Sequence, residues 1–281
     1  MPELPDLLYI RTYLRQSIQG RTITGTVVQQ PVVLRIAVQE SLDKALTGKR
    51  IVQIDLRGPF LRLELSGALD IVMNLMLMGR LQHHRPGEKK EPYCCVSLLL
   101  DDSSRLNLCD EQRMAKCYIV PHGQYAAIPA YTTQGIDIRG PAFTADAFRD
   151  LALKHRRQQV RVFINDHTIL SSIGNAYADE ILFDAKIHPK TFVGSLSPEQ
   201  LDVLFGSIRS VMDNGIKHVE AASQAIHVKV RDHMKVRMRR GEPCPRCGSR
   251  IRREGVRGHD VFFCPHCQPS SRRLFLDWRK V

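Results

Sequence analysis

The sequence predicts an α+β protein in three parts: a β-sandwich flanked by helices, a helical half, and a small cysteine-built hairpin near the end. Three observations carry this. From about Ile23 to Val120, short runs rich in β-branched and aliphatic residues alternate with Gly, Asp and Ser clusters. From about Thr144 to Val219, apolar residues recur at helical spacing behind helix-start residues. Finally, CPRC and CPHC stand sixteen residues apart. A chain of 281 residues has room for two cores, and the expected domains are 1–130, 131–235 and 236–281.

The chain opens MPELPD, and Leu7, Ile10, Leu14 and Ile18 then recur at three- and four-residue steps. This predicts one helix with a buried face, ending at Gly20. It would hold residues 2 and 3 against a packed scaffold. The runs RIVQIDL, FLRLEL, LDIVMNLML, YCCVSLLL, RLNLCD and KCYIV read as strands of two antiparallel sheets packed face to face. Helices are expected from Asp146, through Val160 to Ile164, and from about Ala176 to the stop at His188-Pro189. Ser197-Pro198-Glu199-Gln200 is a capping-box start, and Leu201, Leu204, Phe205, Ile208, Val211 and Met212 form the stripe behind it.

Charge and cysteine usage narrow the function. The net charge is +12, which suits a polyanionic partner such as nucleic acid. Ten Lys/Arg against two Asp/Glu fall between Lys229 and Arg253, leading into the cysteine motif. No apolar run approaches the ~18 residues of a membrane span, and no secretory signal pattern opens the chain, so the expected location is cytoplasmic. Cys94, Cys95, Cys109 and Cys117 lack ligand spacing and read as reduced core thiols. Cys244, Cys247, Cys264 and Cys267, in C-x2-C-x16-C-x2-C, read as the four ligands of one closed, structural zinc ion on a β-hairpin.

Taken together, MPELPD, the β-rich half, SSIGNAYADEILFDAKIHP and the final CPHCQ resemble the formamidopyrimidine-DNA glycosylase and endonuclease VIII family over about residues 2 to 268. PELP favours the formamidopyrimidine branch. The resemblance implies a β-sandwich, a helix–two-turn–helix domain and a zinc finger, with DNA held in a cleft between domains. It implies a bacterial-type, nucleoid-associated repair enzyme, expected as a monomer. Its partner would be double-stranded DNA carrying damaged, oxidised bases or abasic sites, and it would flip the damaged nucleotide out of the stack. Pro2 matches the family nucleophile: once Met1 is removed, its secondary amine attacks the sugar and forms an iminium that drives strand cleavage. Glu3 matches the general acid/base. Asn175 matches the phosphate-binding Asn of the helical domain, Arg113 is expected on phosphate, and Arg161 is a further candidate.

Three departures bear on activity. Pro59 stands where the family has a phosphate-contacting Lys; Arg57 or Arg62 would compensate only if the strand turns that way. The residues that fill the void left by the flipped base align with Leu77, Gln112 and Met114 rather than the usual set, and Leu and Met can still serve as an apolar wedge. His259 replaces the hairpin Arg five residues before the third zinc Cys, and Arg257, two residues away, is expected on the same strand face. The alternative reading is a lesion-binding protein of the same fold with weak or lost catalysis.

Overall fold

A computed structural model of the chain describes residues 2–270. The tail assigned to the third expected domain, and Met1, lie outside the described residues. The described chain forms two compact units: residues 2–134 with 216–230, and residues 135–215 with 231–270. No helix among the described residues is long and apolar enough to cross a membrane.

In the first unit, α1 (Leu4–Ser17) precedes β1 (Ile23–Val28), β2 (Leu34–Ile36), α2 (Leu42–Leu46), β3 (Ile51–Arg57), β4 (Phe60–Leu65), β5 (Leu69–Asn74), β6 (Arg80–His84), β7 (Cys94–Leu100), β8 (Arg105–Cys109) and β9 (Lys116–Pro121). The strands make two sheets, ordered β1-β7-β8-β6 and β2-β9-β5-β4-β3. Alternate residues of both sheets meet α1 in one apolar core that includes Leu7, Leu14, Ile54, Leu61, Leu98 and Leu108. Period-two alternation over a shared core is what a sandwich requires. The expectation of purely antiparallel sheets is corrected at β2, which pairs parallel with β9. The sequence reading also missed β6, because RLQHH is polar, although it pairs fully with β8.

The first helix ends slightly earlier than expected, with its C-cap at Ile18. Gly20 follows at φ +88, where its amide reaches Ile51 O at 2.7 Å. That left-handed backbone favours glycine. β5 stops at Asn74 rather than running on to Leu77. The Asn74 side chain accepts from the Met76 amide at 3.0 Å, and Met76 has φ +49, so the chain turns away from the sheet.

The second unit holds β10 (Ile136–Asp137), α3 (Ala145–Lys154), α4 (Val160–Asn165), β11 (Leu170–Ser171), α5 (Asn175–Asp184) and most of α6 (Pro198–Ala222). Rings of Phe143, Phe148, Phe163 and Phe205 stack through its interior. The capping box of α6 forms as read: Ser197 N–H donates to Gln200 Oε1 at 2.9 Å and Gln200 N–H to Ser197 Oγ at 3.3 Å. β12 (Arg252–Val256) and β13 (His259–Phe263) complete the unit as an antiparallel hairpin.

Candidate nucleic-acid interface and catalytic residues

Pro2 and Glu3 are buried at the start of α1. Glu3 is the N-cap, and its amide donates to Asp6 Oδ2 at 2.7 Å, closing a capping box. Asp6 therefore satisfies an orphan amide of the first turn. The helix beyond is fixed by the sandwich core and by Arg15, whose Nε donates to Ile54 O at 2.7 Å. The first residues thus sit at the capped start of a helix packed into the core.

Two loops of the same unit carry the void-filling candidates. Leu77 lies in the turn after β5, and Gln112 and Met114 in the turn after β8. Leu77 is 49% exposed and Met114 40%, so neither is a core residue. Both turns are built by a side chain. Asn74 shapes the first, as described above. Asp110, 1% exposed, shapes the second, accepting from Gln112 N–H at 3.0 Å and Ala115 N–H at 2.7 Å. Arg113, exposed at φ +55, donates its amide to Asp110 O at 3.3 Å. The loops abut: a Cβ on Gly79 would lie 2.2 Å from Leu75 O and 3.1 Å from the Ala115 Cβ. The clash with Leu75 O, inside the first turn, admits only glycine at this position. Lys229 Nζ, in the segment after α6, also donates to Leu77 O at 3.2 Å. That segment is tied to the first unit again where Tyr9 Oη donates to Gln224 O at 2.8 Å.

The compensation expected of Arg57 and Arg62 divides. Arg62 is enclosed by Asp55, Glu64 and Asp70 at 3.1, 3.3 and 3.6 Å, so its charge is already matched. Arg57 is exposed, with its Nε donating to Tyr131 O at 2.7 Å and its guanidinium over the Tyr131 ring. Pro59 occupies the second position of the two-residue turn between β3 and β4, where Arg57 pairs with Phe60. It offers neither charge nor an N–H donor there.

In the second unit, α5 begins with Asn175 behind the N-cap Gly174. Arg161 on α4 is buried. Its Nη2 donates to Asn175 Oδ1 at 2.8 Å and its Nε to Asp179 Oδ1 at 3.0 Å. The direct phosphate contact expected of Arg161 is therefore corrected: the guanidinium faces inward and orients Asn175. Because a guanidinium only donates, the Asn175 oxygen must face it, which turns the amide NH2 of this half-buried residue the other way.

The four zinc-candidate cysteines converge. Their sulfurs all lie within 4.8 Å of one another, with Cys244 to Cys267 at 3.9 Å and Cys247 to Cys264 at 3.5 Å. Four thiolates around zinc at about 2.3 Å stand about 3.8 Å apart, so the set fits one tetrahedral ion with no open position.

The finger is anchored on α5 by groups that sequence reasoning missed. Asp179 lies between Arg161 and Arg237, at 3.0 and 2.8 Å; burial pushes its carboxyl up and the two guanidiniums oppose that. Glu180, also pushed up by burial, accepts from the amides of Lys235, Val236 and Arg237 at 2.8, 2.9 and 2.9 Å. Gln268 donates to Ile187 O at 2.9 Å and accepts from Cys264 N–H at 3.0 Å.

His259 opens β13 and is exposed. Arg257 is corrected. With Val256 and His259 paired, Arg257 and Gly258 form the two-residue hairpin turn, at φ +45 and +78. Positive φ at both positions is the turn that suits strand twist. Arg257 is off the strand, so the same-face argument fails for it.

Models of three families match along the chain: the formamidopyrimidine-DNA glycosylase N-terminal domain over residues 1–117, the formamidopyrimidine-DNA glycosylase H2TH domain over 135–227, and a zinc finger found in FPG and IleRS over 241–269. The formamidopyrimidine-DNA glycosylase of Heliobacterium modesticaldum is 32% identical over 278 residues, covering 95% of this chain and 100% of the relative. That of Chloroflexus aurantiacus is 31% identical over 280 residues, covering 97% and 99%. Among solved structures, the MutM (Fpg) protein of Thermus thermophilus matches with a TM-score of 0.83 at 28% identity, over 96% of this chain and all of that one. A Lactococcus lactis Fpg mutant in complex with Fapy-dG-containing DNA matches with a TM-score of 0.86 at 25% identity, over 96% and 100%. The sandwich, the helical domain and the four-cysteine finger, matched along nearly the whole length of these relatives, place the chain in the formamidopyrimidine-DNA glycosylase family of bifunctional glycosylases and abasic-site lyases.

Proposed function

We propose that this protein excises oxidised purines from double-stranded DNA and cleaves the resulting abasic strand, with the Pro2 amine as nucleophile and Glu3 as acid/base. The observation that supports this most directly is the placement of Pro2 and Glu3: both are buried at the capped start of a helix that is packed into the sandwich core. A fixed nucleophile replaces the entropy of a bimolecular encounter with a positioned one. A secondary amine attacking C1′ gives, on opening of the sugar ring, an iminium; that cation accepts the electron pair freed when a proton is taken from C2′, and the 3′ phosphate then leaves with the pair of its broken C3′–O bond. The relatives support the substrate class, since Lactococcus lactis Fpg structures hold an abasic site in one case and Fapy-dG in another. In this reading Leu77, Gln112 and Met114 fill the vacated stack, while Asn175 and Arg113 grip phosphate. The four cysteines hold zinc, which folds the hairpin and supplies no chemistry of its own.

Pro59 and His259 leave fewer fixed cations than the family pattern. We therefore expect β-elimination through Pro2 to be retained and the second, δ-elimination to be weak. The test is borohydride trapping of untagged protein on a duplex with one abasic site, with the cleavage products resolved. A covalent adduct that disappears in Pro2→Gly supports the nucleophile, and a singly eliminated product supports the second expectation. Tight binding with no adduct in the wild type would overturn the catalytic reading in favour of lesion binding alone.

A further inference from the structure

The first unit holds thiols that neither the zinc cluster nor the proposed chemistry uses. Cys94 opens β7, Cys109 closes β8, and the two are register partners in an antiparallel pair. Just outside them, Asp110 N–H donates to Tyr93 O at 2.9 Å. A bond in that position flanks a non-hydrogen-bonded pair, the closer of the two antiparallel kinds, with Cα atoms about 4.5 Å apart. That falls inside the roughly 4.4–6.8 Å span a disulfide bridges.

The faces agree. The register shifts between Cys94 and Val96, so Cys95 is the extra residue of a bulge. Cys95 belongs to the apolar core, and its sulfur lies against the carbonyls of Tyr93 and Asp110 at 3.5 and 3.6 Å. Cys94 is turned to the other face, 3.3 Å from Ser97 Oγ. Ser97 is the register partner of Asn107, and Asn107 lies two residues before Cys109, on the same side of β8. Cys94 and Cys109 thus share the polar face of their sheet, while Cys95 does not.

We propose that Cys94 and Cys109 form a modification site, a cross-strand thiol pair that hydrogen peroxide oxidises reversibly to a disulfide. Cys94 is the attacking sulfur: it keeps 6% exposure against none for Cys109. The neighbouring Cys109 thiol holds the Cys94 thiol down to about 6, helped by Ser97 and by the charges of Lys90 and Arg105 and opposed by burial, while Cys109 is pushed up in turn. The thiolate is the nucleophile in such chemistry. It attacks one peroxide oxygen; an S–O bond forms, the O–O bond breaks, and hydroxide leaves to become water. Cys109 sulfur then attacks Cys94 sulfur; the S–S bond forms, the S–O bond breaks, and a second water leaves. The two sulfurs lose two electrons and the peroxide gains them. Cys109 directly precedes Asp110, so the bridge would tie the root of the Gln112–Met114 loop to β7.

The test treats the full-length, zinc-loaded protein with increasing hydrogen peroxide, alkylates the remaining thiols, and maps tryptic peptides. A zinc-binding dye reports the finger in parallel. We expect residues 91–105 to appear cross-linked to residues 106–113 while zinc is still bound, with Cys95 alkylated and the link undone by dithiothreitol. Cys95→Ala keeps the link and Cys94→Ala loses it. Recovery of Cys94 and Cys109 as separately alkylated peptides up to the dose that releases zinc would overturn the proposal. So would a bridge that runs through Cys95.

Discussion

Asn175 shows how a single buried cation can set the direction of a surface amide. Arg161 Nη2, at 2.8 Å, accepts no hydrogen bond and so claims the Asn175 oxygen, leaving the NH2 as the outward donor. If that donor grips phosphate, Asn175→Asp inverts it. The new carboxylate still faces Arg161, but its second oxygen meets an anion. We expect affinity for a duplex with an abasic-site analogue to fall about tenfold or more, in line with the ~1.5–3 kcal/mol of a hydrogen bond to a charged group, with an unchanged or higher Tm. Equal affinity at fixed salt, measured by fluorescence anisotropy, would remove Asn175 from the interface. That Asn175 stands at a helix start was legible from GNAYADE, but the inward ion pair of Arg161 was not. A basic residue near a phosphate motif reads as a contact, and only its ion pair with Asp179 on the next helix shows that it faces inward. Arg257 misled for a related reason: two-residue spacing places side chains on one face only within a strand, and Arg257 sits in the turn.

Among the elements, the two loops after β5 and β8 depend on one polar side chain each. Asp110 satisfies two amides while 1% exposed. Asp110→Ala leaves both without that acceptor, at about 1–3 kcal/mol for each group that stays buried. We expect a loss of about 2–3 kcal/mol in urea unfolding, with faster amide exchange across residues 111–115 than in β8. A variant as stable as the wild type, with exchange unchanged in that loop, would show that backbone packing alone holds the turn. These loops were half legible. Alignment placed Leu77, Gln112 and Met114, but LDIVMNLML read as one continuous apolar strand. Hydrophobicity does not reveal that Asn74 ends the strand by accepting from Met76 N–H. Regular elements with clear periods, α1 and the capped start of α6, were read closely. β6 and the parallel pairing of β2 were missed, because a polar strand and a three-residue edge carry too little pattern to show a partner.

At the scale of the whole molecule, the basic run from Lys229 to Arg253 is less a free cationic face than its composition suggests. Arg237, Arg239 and Arg253 lie 2.8, 2.7 and 3.4 Å from Asp179, Glu242 and Asp260. Arg246 stacks on Phe183 and donates to its carbonyl. Arg237 and Arg246 therefore attach the finger to α5, while Arg239 and Arg253 are matched within the run and its hairpin, and the metal is linked to more than its own hairpin. Phe183 packs with Val236, Cys244, Ile251, Phe262 and Cys264 in one apolar cluster, and two cysteines of that cluster are zinc-candidate ligands. Removing zinc should leave four thiols with no common partner and open that cluster, exposing the Phe183 side of α5 and the amides that Glu180 holds. The sandwich core contains no residue of that cluster and should persist. Hydrogen exchange after chelation tests this. We expect protection to be lost from residues 236–268 and reduced through α5, with β3, β4 and β5 unchanged. Uniform loss across both units would show a single cooperative fold. Loss confined to the hairpin would show that Asp179 and Glu180 hold the finger's approach segment without help from the metal.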